Sequence, residues 1–350
     1  MGTLPLAWDI GTAYDMFISL HVLYDPNKYG LRGSWAAGVR SRLPNPEREI
    51  IQELMEISFW GLHWVYTLPG PKNGRVVLNA LQAMEAKERI LTLASSPHLP
   101  ADLLHILHNT AERGGYDDDD VTALTNVDMG DHKNWTRKRA GQTLAVWSDP
   151  ATYGEGLLSG LQEYYDAFFA EEENRIQAPL EAALAGAQAL AVTHDVNKLL
   201  EELSQGIRFS DPLKSEQVVL APSFWVTPLI VFVTLAENKD LYIFGGRPSN
   251  MSLVPGEQVP DALYQALKAL ADPTRLRILR YLADRPMTPA ELSRRLRLRA
   301  PTVIHHLHAL RLARLVHLSL EQEGKRYELR REAVMGTCAL LGDFLEENEA

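Results

Sequence analysis

Leu270-Ala-Asp-Pro-Thr-Arg-Leu-Arg-Ile-Leu279 is the stretch that decides the fold of the C-terminal part of the chain. Asp272 suits an N-cap and Pro273 the first helical position, so a helix starts here. Leu276, Ile278, Leu279 and Leu282 supply its apolar face. Downstream, Ala290–Leu296 reads as a second short helix, with Leu292 and Leu296 inward and Arg294 and Arg295 outward. Arg297-Leu298-Arg299 makes a turn. Pro301 then opens a third helix, in which Val303, Leu307 and Leu310 share a face. Thr302, His305 and His308 point away from that face. Leu315–Leu320 and Arg326–Leu329 read as a hairpin joined through Glu321–Gly324, with Lys325 and Arg326 near its tip. This order describes a winged helix-turn-helix, a shape that sets one helix into the DNA major groove.

The charge distribution agrees. The 350 residues carry a net charge of -10, which by itself argues against nucleic acid. Residues 261–331, however, hold 15 Lys and Arg against 7 Asp and Glu, a balance of +8. Residues 1–260 hold 20 against 33, and residues 332–350 hold none against 5. A basic module is attached to an acidic body, and only the module has to meet phosphate.

Further upstream the pattern is mainly helical. Helices are expected over Glu47–Trp60, from Asn73 or Gly74 to Leu93, from Pro100 to Gly114, and over Trp135–Trp147, Tyr153–Ala170, Ile176–Val192 and Val196–Leu203. Val218–Leu220, Leu229–Leu235 and Leu241–Phe244 are β-branched or aromatic runs, the last two paired through the turn Glu237–Asp240. The expected architecture is mainly α with small β elements. A helical sensor or dimerisation domain spans 1–246, a Pro- and Gly-punctuated linker 247–260, the winged helix 261–331 and a terminal helix 332–350.

The C-terminal segment resembles the ArsR family of winged-helix bacterial regulators. The resemblance is carried by 270–279, by Pro-Thr-Val-Ile-His-His-Leu-His-Ala-Leu at 301–310, and by Glu-Gly-Lys-Arg-Tyr-Glu-Leu at 323–329. It implies a homodimer reading a two-fold operator in double-stranded DNA, often as a repressor released by an effector. Thr302, His305 and His308 would then face the groove, with Pro301 and Ile304 against thymine methyls. Arg294, Arg295, Arg299, Arg311, Lys325 and Arg326 would meet the backbone. The family commonly caps its recognition helix with Ser; here Arg299, Ala300 and Pro301 stand in that place. Its thiolate metal box would fall near Ala290–Arg294, where there is no Cys, so metal sensing of that kind is not expected.

For the N-terminal region the residues offer less. All seven tryptophans (Trp8, Trp35, Trp60, Trp64, Trp135, Trp147 and Trp225) lie before residue 260. With Phe17, Phe59, His63, Tyr66, Tyr164, Tyr165, Phe168 and Phe169 they are candidates to line an apolar pocket for a small-molecule effector, or else simply to fill a core. Phosphate-binding, nucleophile-elbow and zinc-protease motifs are absent, so no enzymatic activity, cofactor or metal is expected. The alternative is an enzyme of unknown activity fused to a targeting or autoregulatory winged helix. Asp117–Asp120 with Asp128, Asp131 and His132 reads as a solvated acidic turn, and His105 with His108 as surface histidines. The single Cys338 and the lack of an apolar leader or membrane span point to a cytoplasmic protein.

Overall fold

The computed structural model describes residues 5–57, 61–94, 99–128, 135–209, 215–321 and 324–346. Phe59, Trp60, Asp131, His132 and the hairpin residues Gln322 and Glu323 lie outside them. The body is built from helices α1 (Thr12–Tyr24), α2 (Gly33–Arg40), α3 (Asn45–Glu56), α4 (Leu62–Thr67), α5 (Gly74–Gln82) and α6 (Ala86–Ala94). It continues with α7 (Ala101–Arg113), α8 (Asp118–Thr125), α9 (Arg137–Ser148), α10 (Pro150–Tyr164), α11 (Ala170–Thr193) and α12 (Val196–Leu203). Strands β1 (Leu6–Trp8), β2 (Ile207–Phe209), β3 (Gln217–Ser223), β4 (Ile230–Ala236) and β5 (Lys239–Gly245) complete the N-terminal part. The C-terminal part follows the order α13 (Asp261–Leu270), α14 (Pro273–Asp284), α15 (Pro289–Leu296), α16 (Ala300–Leu312), β6 (Val316–Glu321), β7 (Gly324–Leu329) and α17 (Arg331–Glu346).

A four-stranded sheet in the order β1-β3-β5-β4 divides the body into layers. β1, β3 and β5 run parallel, and β4 returns antiparallel to β5. Because successive side chains alternate faces, one strand serves two cores. Val219, Ala221, Leu241 and Ile243 join the large helical core. Val218, Leu220, Tyr242 and Phe244 pack instead with Ala187, Leu199 and Leu200 from α11 and α12.

Helix α1 runs through the middle of the large core and is buried on every side, so it has no polar face to betray it in the sequence. Its Asp15 is fully buried and ties the helix to the end of β3. The carboxylate accepts from the Ser223 hydroxyl and from the backbone N–H groups of Phe224 (3.1 Å) and Trp225 (3.0 Å). Burial nevertheless outweighs these bonds and raises its pKa to about 7.

Two helical expectations change in detail. The helix expected from Asn73 to Leu93 is two helices, α5 and α6. Arg89 closes the break between them by donating to the Leu81 (2.9 Å) and Met84 (3.2 Å) carbonyls. The runs expected as separate helices over 153–170 and 176–192 are continuous, joined by a wider π-helical turn, Tyr165–Phe169. Tyr164, Tyr165, Phe168 and Phe169, at and within this turn, are all buried. α10 also lies so close to α6 that a Cβ on Gly154 would sit 1.8 Å from the Ala86 carbonyl oxygen.

The strand that sequence reading missed in this region, β2, does not belong to the body sheet. It pairs in parallel with β6 (Ile207 opposite Leu318, Phe209 opposite Leu320) and makes the wing a three-stranded sheet, β2-β6-β7. The boundary expected at 246–261 is therefore crossed by a sheet. The 247–260 segment is itself packed: Arg247 and Leu253 are buried, and the Asp261 carboxylate accepts the Leu253 N–H at 2.7 Å.

The junction is closed by arginines. α12 ends at Ser204 and Gln205, whose carbonyls face the C-terminal module without helical partners. Arg311 donates to both, at 3.1 Å to Gln205, and Arg330 donates to Gln205 at 2.8 Å. Cationic donors at a helix C-terminus are favoured by its partial negative charge. Replacing Arg311 by Ala leaves the Ser204 carbonyl unpaired and is expected to cost about 2–3 kcal/mol, because bonds to charged donors are the stronger kind. Urea unfolding of Arg311→Ala should show the reduced midpoint. Arg311→Lys, which keeps the charge without the fork, should fall between.

Candidate nucleic-acid interface

The helix-turn-helix is defined by its caps. Asp272 accepts the Arg275 N–H at 2.9 Å and starts α14, with Pro273 at the first position. Thr288 and Glu291 form a reciprocal capping box at the start of α15. Glu291 is held down to about 2, first by the Thr288 N–H and then by Arg285. Arg297, at φ +57°, closes α15 in the left-handed region and redirects the chain into α16. Arg299 stands at the N-cap of α16 without a side-chain capping bond, as the missing Ser led one to expect.

Ile278, Leu279, Leu282, Met287, Leu292, Leu296, Val303, Leu307, Leu310 and Val316 form the module's own core. Leu276, expected in that face, is instead exposed. Met287 exchanges both backbone hydrogen bonds with Tyr327 at 2.9 Å, which fixes the wing against the turn before α15.

The structure separates the candidate contact residues into three groups. Pro301, Thr302, Ile304 and His305 are exposed on the N-terminal half of α16, and Ile304 keeps 54% of its surface. Arg294, Arg295, Arg299 and Lys325 are exposed as well, as is Arg297, which sequence reading assigned to the turn alone. Arg326 is half-buried and engaged by Glu321 at 3.0 Å and Glu291 at 3.8 Å.

The third group turns away from solvent. His308 shares a hydrogen bond with the Lys28 carbonyl of the body at 2.8 Å. Arg311 is 4% exposed and binds the end of α12 as described. Both were expected at the DNA surface, and for both that expectation is corrected. Their position on the C-terminal half of α16 faces the body. The helical wheel separates inside from outside but cannot tell which outside a second domain covers. His306 is half-buried beside Asp272, in keeping with a packed histidine, and Arg275 lies 3.6 Å from Asp272 at the helix start.

Several of the candidate aromatic residues pack on one another in the core. Trp225 stacks on Trp35 at 6.3 Å and meets Phe168 edge-on at 5.9 Å, while Tyr164 stacks on Phe169 at 6.0 Å. Asp117–Asp120 caps α8, with Asp118 paired to Arg137 at 2.7 Å. His105 and His108 are exposed on α7. Among the described residues no helix is long and apolar enough to cross a membrane.

The C-terminal part is thus a winged helix-turn-helix. Residues 272–317 match the model of the bacterial regulatory protein family arsR, which makes this module an ArsR-family helix-turn-helix. The HTH-type transcriptional regulator KmtR of Mycobacterium tuberculosis is 38% identical over 81 residues, 23% of this chain and 62% of that relative. The chain therefore spans less than two thirds of the curated relative it matches, and 1–271 lies outside the family match.

Two histidines at the junction titrate in a revealing direction. Burial lowers the pKa of His308 below its ordinary 6.5, against the pull of the Lys28 carbonyl and Asp25. Burial, with Arg208 and Arg330, does the same for His317, although Glu201 and Glu332 lie 3.7 and 3.6 Å away. A lowered imidazole pKa means the folded junction binds fewer protons than the open one. Docking is therefore complete above pH 6.5 and weakens as pH falls below it. Hydrogen exchange should show residues 26–30 and 205–209 losing protection between pH 7.5 and 5.5. His308→Asn, which still donates but does not titrate, should flatten the change at 26–30.

Proposed function

We propose that the chain is a sequence-specific DNA-binding transcriptional regulator, a repressor that acts as a homodimer on a two-fold operator. The observation that carries this reading is the open N-terminal half of α16, flanked by the exposed cations Arg294, Arg295, Arg297, Arg299 and Lys325. N-terminal residues of a recognition helix are those that reach base edges. Thr302 and His305 supply hydrogen bonds there, and Ile304 and Pro301 apolar contact. The name of the mycobacterial relative, a transcriptional regulator, supports the same role. The body then senses an effector and catalyses nothing.

The second copy in this reading would dock on α13 and α17. α13 packs on α17, and Leu267, Met335 and Leu345 on these helices are 40%, 72% and 70% exposed. Burying the exposed part of these apolar side chains between two copies would favour association.

Anisotropy titrations on operator-length duplexes selected from random DNA test the reading. Thr302→Ala with His305→Ala should erase the preference for the selected sequence over random duplex, a loss of about 1–3 kcal/mol per base contact. Lys325→Ala should weaken all duplexes alike and flatten the salt slope by about one unit. Arg326→Ala should change the slope less, because its guanidinium already faces two carboxylates. Failure to retard any duplex at low salt would refute the assignment. Met335→Glu with Leu345→Glu should shift the sedimenting species from dimer to monomer. A wild-type chain that sediments as a monomer at every concentration would remove the two-fold operator.

A further inference from the structure

A cleft of about 560 Å3 opens between α1, α2, α3 and the short 3-10 turn Pro26–Tyr29, lined in part by Tyr24, Asp25, Lys28, Arg40, Gln52 and Glu56. Its charges oppose one another across one concavity without being neutralised. Among the described residues, none of Asp25, Lys28, Arg40 and Glu56 takes part in an ion pair. Arg40 is held in place by donating to the Leu23 carbonyl at 2.5 Å and by lying over the Tyr24 ring at 5.1 Å. Among the described residues Glu56 accepts from two amides, Gln52 at 3.2 Å and Gln142 at 2.6 Å. A fixed guanidinium is suited to a carboxylate, and two carboxylates without a cationic partner to an ammonium. The tyrosine faces suit the apolar part between them.

The same turn holds the DNA-reading module. The Lys28 carbonyl is the partner of His308 on α16, and the neighbouring Gly30 carbonyl accepts from Gln265 on α13 at 2.7 Å. Two residues on, Arg32 lies over the Tyr264 ring of α13 at 5.4 Å. Lys28 and Tyr29 thus line the cleft, and Lys28 with the neighbouring Gly30 and Arg32 holds two helices of the winged helix.

We propose that this cleft binds a small zwitterion, of free amino-acid or short-peptide size, with its carboxylate on Arg40 and its ammonium on Asp25 and Glu56. Its occupancy moves the Pro26–Tyr29 turn and, through the Lys28–His308 bond, the recognition helix. The second half rests on the reading of α16 as a DNA-binding helix; the first does not.

The test uses the full chain. Thermal unfolding is followed with individual free amino acids, and with dialanine and trialanine, at millimolar concentration. At least one probe should raise the melting temperature by about 3 °C or more. Which probes act tells free amino acid from peptide. The N-acetylated form of the active probe, which lacks the ammonium, should be silent. Asp25→Asn with Glu56→Gln should abolish the shift while leaving the unliganded melting temperature in place. Should that variant not fold, the N-acetyl comparison on the wild type decides. In the wild type the active probe should change DNA affinity about tenfold, and in His308→Ala it should still raise the melting temperature but leave DNA affinity unaltered. The cleft assignment is overturned if no probe shifts melting, or if the acetylated form works equally well. A chain that answers to the zwitterion but binds no duplex refutes the DNA reading and the coupling, and leaves the cleft assignment standing.

Discussion

The junction between α12 and the wing is the constraint on which the rest of the molecule depends. A helix ending in open carbonyls has to find donors, and inside a protein it finds them on whichever neighbour can bring a cation without a competing acid. Here that neighbour is the C-terminal module. Arg311 and Arg330 cap α12 from across the boundary, and β2, the strand that immediately follows, adds itself to the wing. The burial this requires is felt by the cations themselves: Arg311 is pushed down to about 10, first by desolvation and then by Arg330. Arg314, beside them, is pushed down to about 9, first by burial and then by Arg247, Arg330 and Arg311. The module is therefore not hung on a loose tether. It is clamped, and the clamp is polar.

Clamping divides α16 into two halves with different work. Its C-terminal half is committed to the body through His308 and Arg311, and its N-terminal half is left in solvent with Thr302, Ile304 and His305. A helix held at one end and free at the other can be aimed. Anything that moves the Lys28 turn or the end of α12 re-aims it, and a reading head of this kind needs only a small rotation to lose register with base edges. The acidic body and the basic module are compatible for the same reason. The arginines Arg311 and Arg330 are used as caps against the body, whereas Arg294, Arg297 and Arg299 stay exposed.

Much of this was legible in the sequence, and the exceptions are physical. The cap Asp272 with Pro273, the alternation of Leu292 with Arg294 and Arg295, and the Val303–Leu307–Leu310 face are local signals, and the module they specify is the one observed. α12 is found at its expected bounds because its Asp195 cap and apolar spacing are equally local. α1 was missed because a helix buried all round has no period to read. β2 was missed because three residues added to another domain's sheet carry no pattern of their own. Arg311 and His308 were misassigned because their burial is set by a partner some 100 and 280 residues away in the chain. Of the tryptophans, read as candidate pocket walls or core, Trp35 and Trp225 are stacked on each other in the core. The polar cleft that the structure does form is lined by residues from three helices and a turn, none of them remarkable alone.

Duplex DNA is expected to meet the free half of α16 and the wing tip while the clamped half stays on the body. Hydrogen exchange of the full chain with and without a bound duplex tests this directly. Protection should appear over 299–305 and at Lys325, with the amides of Ile207–Phe209 unchanged. Protection that falls on the acidic body and spares 299–305 would contradict it.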